Sequence, residues 1–123
     1  MPWEVLVQSE HPVVETRYAG DLSMADLLQA VDATIEAAAR HGISRFFSDC
    51  LALQGGHSLT DLYFLAQRVA ESGIGGNLRE AVLLPVLPAA KDEVLFWENT
   101  ARNRGFVVRV FDDRDVAQKW LLQ

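Results

Sequence analysis

One junction in the sequence limits the fold more than any other feature. Residues 45–50 (RFFSDC) have the apolar character of a strand and end in polar residues, and a loop with Gly55 and Gly56 then leads to Ser58. Ser58 precedes a segment with helical apolar spacing, so the three parts read as strand, glycine loop and capped helix. Alternating units of this kind build α/β domains, and such domains bind ligands where strands end and helices begin. We therefore expect the protein to act at this junction.

The remainder of the chain alternates between strand and helix in the same way. Predicted strands cover residues 3–8, 13–19, 45–50, 81–86 and 106–111, with helices beginning at Ser23, Ser58, Pro88 and Asp113. The order β-β-α-β-α-β-α-β-α predicts an N-terminal hairpin followed by crossover units, because parallel strands need a helix between them. The predicted fold class is α/β, a single mixed, mostly parallel sheet with helices packed on it.

Composition restricts the function classes. The chain has 123 residues, of which 50% are hydrophobic, so we expect one globular domain over residues 1–123. Its net charge of −6, without a cluster of Lys and Arg, disfavours nucleic-acid binding. No signal peptide or membrane-spanning segment is recognisable, and the single cysteine, Cys50, suits a reducing compartment. A cytoplasmic protein without integral membrane association is expected.

Motifs spread over the whole chain resemble the STAS-like (SpoIIAA-like) family of small bacterial domains. They are residues 20–23 (GDLS), 45–50 (RFFSDC), 58–63 (SLTDLY), 96–98 (FWE) and 103–105 (NRG), with Val110, Phe111, Ala117, Trp120 and Leu121. The resemblance implies a fold shared with anti-sigma-factor antagonists and with CRAL-TRIO lipid-exchange domains. It implies binding or regulation without catalysis or a cofactor, with a protein partner or a small apolar, lipid-like ligand.

By element order, Ser58 is similar to the serine that antagonists use as a phosphorylation switch, although Gly55-Gly56-His57-Ser58 stands where they have Asp-Ser-Ser-Gly. The residues themselves also give Ser58 a purely structural role. A serine followed three residues later by Asp61 forms a capping box. A phosphate on Ser58 would sit at the positive end of the helix but close to the Asp61 carboxylate.

The candidate switch or anion site comprises Asp49, Gly55, Gly56, His57 and Ser58. The two glycines could bring backbone N–H groups close to a phosphate, but without a lysine they fit a simple turn equally well. Cys50 and His57 together suggest a nucleophile or a metal ligand pair, yet zinc needs three or four ligands. A buried cysteine at a strand is more often a small apolar filler, so neither a metal nor an enzymatic activity is expected.

A second candidate site is an apolar pocket beneath the helices. The residues predicted to line it are Tyr63, Phe64, Phe96 and Trp97, with Leu62 and Leu65. Phe96, together with Leu95, would mark a partner surface or the mouth of a pocket if it were exposed. The leading hypothesis is a non-enzymatic module that binds a protein partner through Ser58 and the loop of residues 49–61, with Ser58 as the candidate switch. A carrier or sensor of a small apolar ligand is the alternative, and a free edge on the hairpin would favour a homodimer.

Overall fold

The computed structural model describes residues 2–55, 57–74 and 78–123. The elements are β1 (Trp3–Val7), β2 (Val14–Asp21), α1 (Met24–His41), β3 (Arg45–Gly55), α2 (Leu59–Glu71), β4 (Arg79–Leu83), α3 (Pro88–Asn103), β5 (Val107–Phe111) and α4 (Arg114–Leu121). The predicted order of strands and helices is confirmed.

The strands form one five-stranded sheet in the order β1-β2-β3-β4-β5. β1 and β2 are antiparallel, and the other pairs are parallel. The predicted mixed, mostly parallel α/β sheet is therefore confirmed. β1 lies at one edge, which is the position that self-pairing of the hairpin would require, and the homodimer itself stays a prediction.

Local sequence signals set the helix ends. Ser23 accepts the Asp26 N–H, and the Asp26 carboxylate accepts the Ser23 N–H, so α1 begins with a capping box. It ends at Gly42, whose φ of 64° is the left-handed conformation that glycine adopts without strain. Both ends of α1 were predicted from these residues.

Two strands differ in length from the sequence prediction. β3 continues past Cys50 to Gly55, because Ala52, Leu53 and Gly55 pair with the end of β2 across two register shifts. β4 begins earlier than predicted, at Arg79, and ends at Leu83, since it is aligned by its pairing with β3 and β5. As a consequence, Gly55 belongs to the strand, and only residues 56–58 separate β3 from α2.

The helices cover the two faces of the sheet unequally. The larger core cluster joins the sheet to the first three helices and includes Phe46, Val82 and Val94. The smaller cluster lies on the opposite face under α4 and includes Phe47 and Leu121. Successive strand residues point to opposite faces, so neighbours in β3 enter different environments.

Candidate functional site at the β3–α2 junction

Ser58 lies at the end of the sheet where the parallel strands finish. Its side chain accepts the Asp61 N–H at 3.1 Å, and the Asp61 carboxylate accepts the Ser58 N–H at 3.2 Å. The predicted capping box of α2 is thus confirmed. Ser58 is exposed, so its hydroxyl combines a structural role with access to solvent.

His57 precedes the cap but turns inward. Its side chain is only 4% exposed, and its Nδ1 lies 3.4 Å from Oε2 of Glu93 on α3. The Glu93 carboxylate also accepts the His57 backbone N–H at 2.9 Å. Glu93 thereby connects the loop before α2 to the first half of α3 through its contacts with His57.

The backbone conformation of Gly55 at the end of β3 favours glycine. Its φ is 95°, and a Cβ at this position would come within 3.2 Å of both Glu93 carboxylate oxygens. A side chain would therefore strain the backbone, and the Glu93 carboxylate would have to shift by a few tenths of an ångström. Gly56, the other glycine of the predicted anion site, lies outside the described residues.

Asp49 is not close to Ser58. It lies on the α4 face of β3, where its carboxylate accepts the Leu51 N–H at 3.1 Å and faces Arg114 Nη1 at 3.4 Å. The alternation of side chains along the strand separates it from Ser48, which faces the other side. The structure therefore brings together Gly55, His57 and Ser58 but places Asp49 elsewhere.

The outer face of α2 is unusually apolar for an exposed surface. Leu59 is 57% exposed, Tyr63 is 51% exposed and Phe64 is 59% exposed. The Tyr63 and Phe64 rings contact edge to face with centroids 6.1 Å apart, and the Arg104 guanidinium lies 4.6 Å from the Tyr63 centroid. We call Leu59, Tyr63 and Phe64 the α2 patch; it begins directly after Ser58.

An interior cavity of about 120 Å³ lies between the sheet and the first three helices. Of the six predicted pocket residues, Leu62, Leu65 and Trp97 line it. Tyr63 and Phe64 belong instead to the exposed patch, and Phe96 is partly buried against the core. The sequence pattern could not separate these positions, because every one of them is apolar and on a helix.

A polar network beside the cavity escaped the sequence analysis. Ser48 on β3 lies 2.6 Å from one Glu80 carboxyl oxygen, and Trp97 Nε1 donates to the other at 2.9 Å. Burial raises the pKa of the Glu80 carboxyl, against the lowering effect of these two hydrogen bonds. The signal that could have found Glu80 is alternation along β4, which puts it on the same face as Val82.

Cys50 is buried beside this network. Burial raises the pKa of its thiol strongly, and the nearby carboxylates of Glu80 and Asp49 add to the effect. A nucleophilic cysteine needs the opposite shift, because the thiolate is the reactive form. The environment of Cys50 fits the apolar filler role rather than that of a nucleophile.

The described parts of the chain contain no cluster of three or more His, Cys, Asp or Glu side chains arranged to hold a metal ion. Nor does any helix in those parts have the length and apolar character needed to cross a membrane.

Comparison by sequence finds no matching family model and no matching curated protein. Comparison of structures finds an anti-sigma factor antagonist from Mycobacterium paratuberculosis, with a TM-score of 0.66 and 18% identity over 98% of this chain and 95% of that chain. It also finds the protein TM1081, with a TM-score of 0.61 and 14% identity over 99% of this chain and 88% of that chain. These likenesses establish a STAS-like fold over nearly the whole chain.

Proposed function

We propose that this chain is a non-enzymatic STAS-like regulatory module that binds a protein partner through Ser58 and the α2 patch. The observation that carries the proposal is the exposure of Leu59, Tyr63 and Phe64 directly after a solvent-accessible N-cap serine. Contiguous exposed apolar side chains mark interaction surfaces in soluble proteins. The fold shared with an anti-sigma factor antagonist supports a regulatory role of this kind.

The chemistry of the surface indicates the kind of partner. Large aromatic side chains at the centre of an interface contribute most of the binding energy when a partner pocket encloses them. Asp61 borders the patch, and the chain carries a net charge of −6. A partner with an apolar pocket and a basic rim would therefore complement this surface.

Phosphorylation of Ser58 would change the same surface. The phosphate adds close to two negative charges at the start of α2, where the helix dipole favours it and the Asp61 carboxylate opposes it. A change of charge adjacent to an apolar patch alters partner affinity without altering the fold. Ser58 is therefore proposed as the switch, and Gly55 and His57 as the structure that positions it.

The absence of an enzymatic activity or a cofactor forms part of the proposal. Its support is the raised pKa of Cys50, the single cysteine of the chain. A thiol that stays protonated is a poor nucleophile, because the thiolate is the reactive form. A cytoplasmic location accords with that single reduced cysteine.

The test compares matched variants of the full chain in their binding to one partner protein, the protein that stays bound to the wild-type chain. Ser58→Asp adds a charge while keeping a good N-cap, and Ser23→Asp makes the same change at the matching capping box of α1. Phe64→Ser removes the centre of the α2 patch, and Val116→Ser removes a similarly exposed side chain on α4. The measured quantity is the dissociation constant of each complex.

Ser58→Asp and Phe64→Ser should each weaken binding by about tenfold or more, the effect expected at a central interface residue. Ser23→Asp and Val116→Ser should bind like the wild type. Equal affinity for all four variants would overturn the proposal, and a loss confined to Val116→Ser would move the interface to α4.

The cavity beside Trp97 favours a second candidate function, a carrier or sensor of a small apolar ligand. Its walls are mainly apolar side chains from the sheet and the first three helices. Pockets of this character bind small molecules when a few polar groups fix the ligand's orientation. The two candidate functions use different parts of α2, its inner face and its outer face, so one molecule could perform both.

A further inference from the structure

The cavity has a volume that suits one class of ligand. A volume of about 120 Å³ is close to that of an engineered protein cavity of about 150 Å³ that binds benzene. Four aromatic side chains, Tyr18, Phe46, Trp97 and Phe106, form part of its walls. Aromatic rings pack favourably against one another in offset or edge-to-face arrangements, so a single ring is the natural occupant.

His57 supplies one polar atom in this wall. Its Nε2 is fully buried and has no hydrogen-bond partner among the described residues, although the ring lines the cavity. Its Nδ1 faces the Glu93 carboxylate at 3.4 Å. In the tautomer that carries its proton on Nδ1, on the side of Glu93, Nε2 carries a lone pair and can accept a hydrogen bond.

Several other polar side chains in the wall already have partners. Ser48 and Trp97 both contact the Glu80 carboxyl group. The Thr34 hydroxyl donates to the Ala30 carbonyl and lies 2.7 Å from the Thr16 hydroxyl. A ligand that donates a hydrogen bond to His57 Nε2 would give this buried atom the partner that it lacks, which is favourable because a buried polar atom without a partner is costly.

The charge of the wall limits the ligand further. Glu93 and Glu80 both line the cavity, so a carboxylate or phosphate ligand would be repelled by Glu93 and would bring its own charge into an apolar space. An ammonium group would lose its hydration in the same apolar space. A neutral donor meets neither cost.

We propose that the cavity is a binding site for a neutral, ring-sized molecule bearing one hydroxyl group, of the phenol class, which donates its hydroxyl proton to His57 Nε2. The site deepens the second candidate function, on which it rests, and it lies on the inner side of α2, away from the α2 patch. Trp97 and Phe46 line the cavity that holds the ring, and His57 selects for the hydroxyl.

The experiment titrates the full chain with phenol, benzene, benzoate and benzylamine, and follows backbone amide shifts by NMR. Three variants accompany the wild type. His57→Leu removes the acceptor, His57→Gln supplies an amide oxygen near the position of Nε2, and His41→Leu changes an exposed histidine at the end of α1. Benzene affinity reports whether the cavity survives each substitution.

Phenol should bind to the wild type with saturable shifts at cavity residues, about fivefold tighter than benzene, as one net hydrogen bond predicts. His57→Leu should retain benzene binding and lose the preference for phenol. His57→Gln should retain part of the preference for phenol, and His41→Leu should retain all of that preference.

Tighter binding of benzoate or benzylamine than of phenol would overturn the proposed ligand class. Equal binding of phenol and benzene would overturn the role of His57 and leave the small-ligand function standing. Binding of none of the four would overturn both.

Discussion

Ser58 carries two roles at the scale of a single residue, and they can be separated by substitution. Its hydroxyl caps α2 through the reciprocal contacts with Asp61, as Ser23 caps α1 with Asp26. Ser58→Ala and Ser23→Ala should each lower the free energy of unfolding by about 1 kcal/mol, whereas Ser58→Asp should leave it nearly unchanged. Urea denaturation measures all three. A loss with Ser58→Asp as large as that with Ser58→Ala would show that capping does not explain the stability effect.

Glu80 predicts a dependence of stability on pH. Its carboxyl has a raised pKa in the folded chain because it is buried. The folded state therefore holds the proton more tightly, so this contribution to stability is complete below the unfolded pKa, near 4.5, and is lost as the pH rises through the folded pKa. Glu80→Gln keeps the polar contacts and removes the titration.

The stability of Glu80→Gln relative to wild type should therefore increase as the pH is raised above about 4.5. Urea denaturation of both chains from pH 4 to pH 8 would show it. A difference that stays constant over this range would mean that Glu80 does not retain its proton in the folded chain.

On the α4 face of the sheet, Glu15 should give the stability the opposite dependence on pH. It is 1% exposed; burial alone would raise its pKa, but hydrogen bonds from Arg114, Arg17 and Gln8 outweigh burial and hold the pKa below its ordinary value. Its stabilising effect is present above the unfolded pKa and is lost as the pH falls through the folded pKa.

Glu15→Gln should therefore destabilise the chain at pH 7, by about 1 kcal/mol, because water can solvate the half-exposed Arg17 and Arg114 once the carboxylate is gone. The deficit should shrink as the pH is lowered through the range below 4.5. A deficit that grew on acidification would assign the destabilisation to another cause.

Among the helices and strands, α2 shows how far a periodic pattern can be trusted. Its start at the Ser58 cap was predicted correctly, and the helical apolar spacing after Ser58 matches the burial of Leu62, Ala66 and Val69. Leu59 and Tyr63 are also apolar residues of this segment, but they are exposed. Periodicity locates a wide apolar stripe, while the position of neighbouring elements decides which part of that stripe is covered.

The two faces of α2 should respond differently to substitution. Leu62→Ala on the inner face should lower the free energy of unfolding by about 2–4 kcal/mol, because it removes buried methyl groups and leaves a cavity. Phe64→Ser on the outer face should change it by about 0.5 kcal/mol or less, since that side chain is exposed. Thermal and urea unfolding of both variants would test this. A large loss with Phe64→Ser would show that the patch has a structural role.

Across the whole molecule, the sequence predicted the element order and the mixed sheet because each strand and cap is encoded locally. It placed Asp49 with Ser58, although the long β3 sends the Asp49 side chain to the α4 face. It also missed the cavity contributions of Glu80 and Ser48. A cavity is the space left after long-range packing, and no local pattern encodes it.

The measurement that tests the central claim most directly is site-specific photocrosslinking in the source organism. A photoreactive phenylalanine analogue replaces Phe64 in one chain and Val116 in another, and each is made with and without phosphoserine in place of Ser58 or Ser23. The account predicts a discrete protein adduct from position 64 that is lost with phosphoserine at 58 and kept with phosphoserine at 23, and none from position 116. An adduct from position 116 alone, or one at 64 that is indifferent to phosphate at 58, would contradict it.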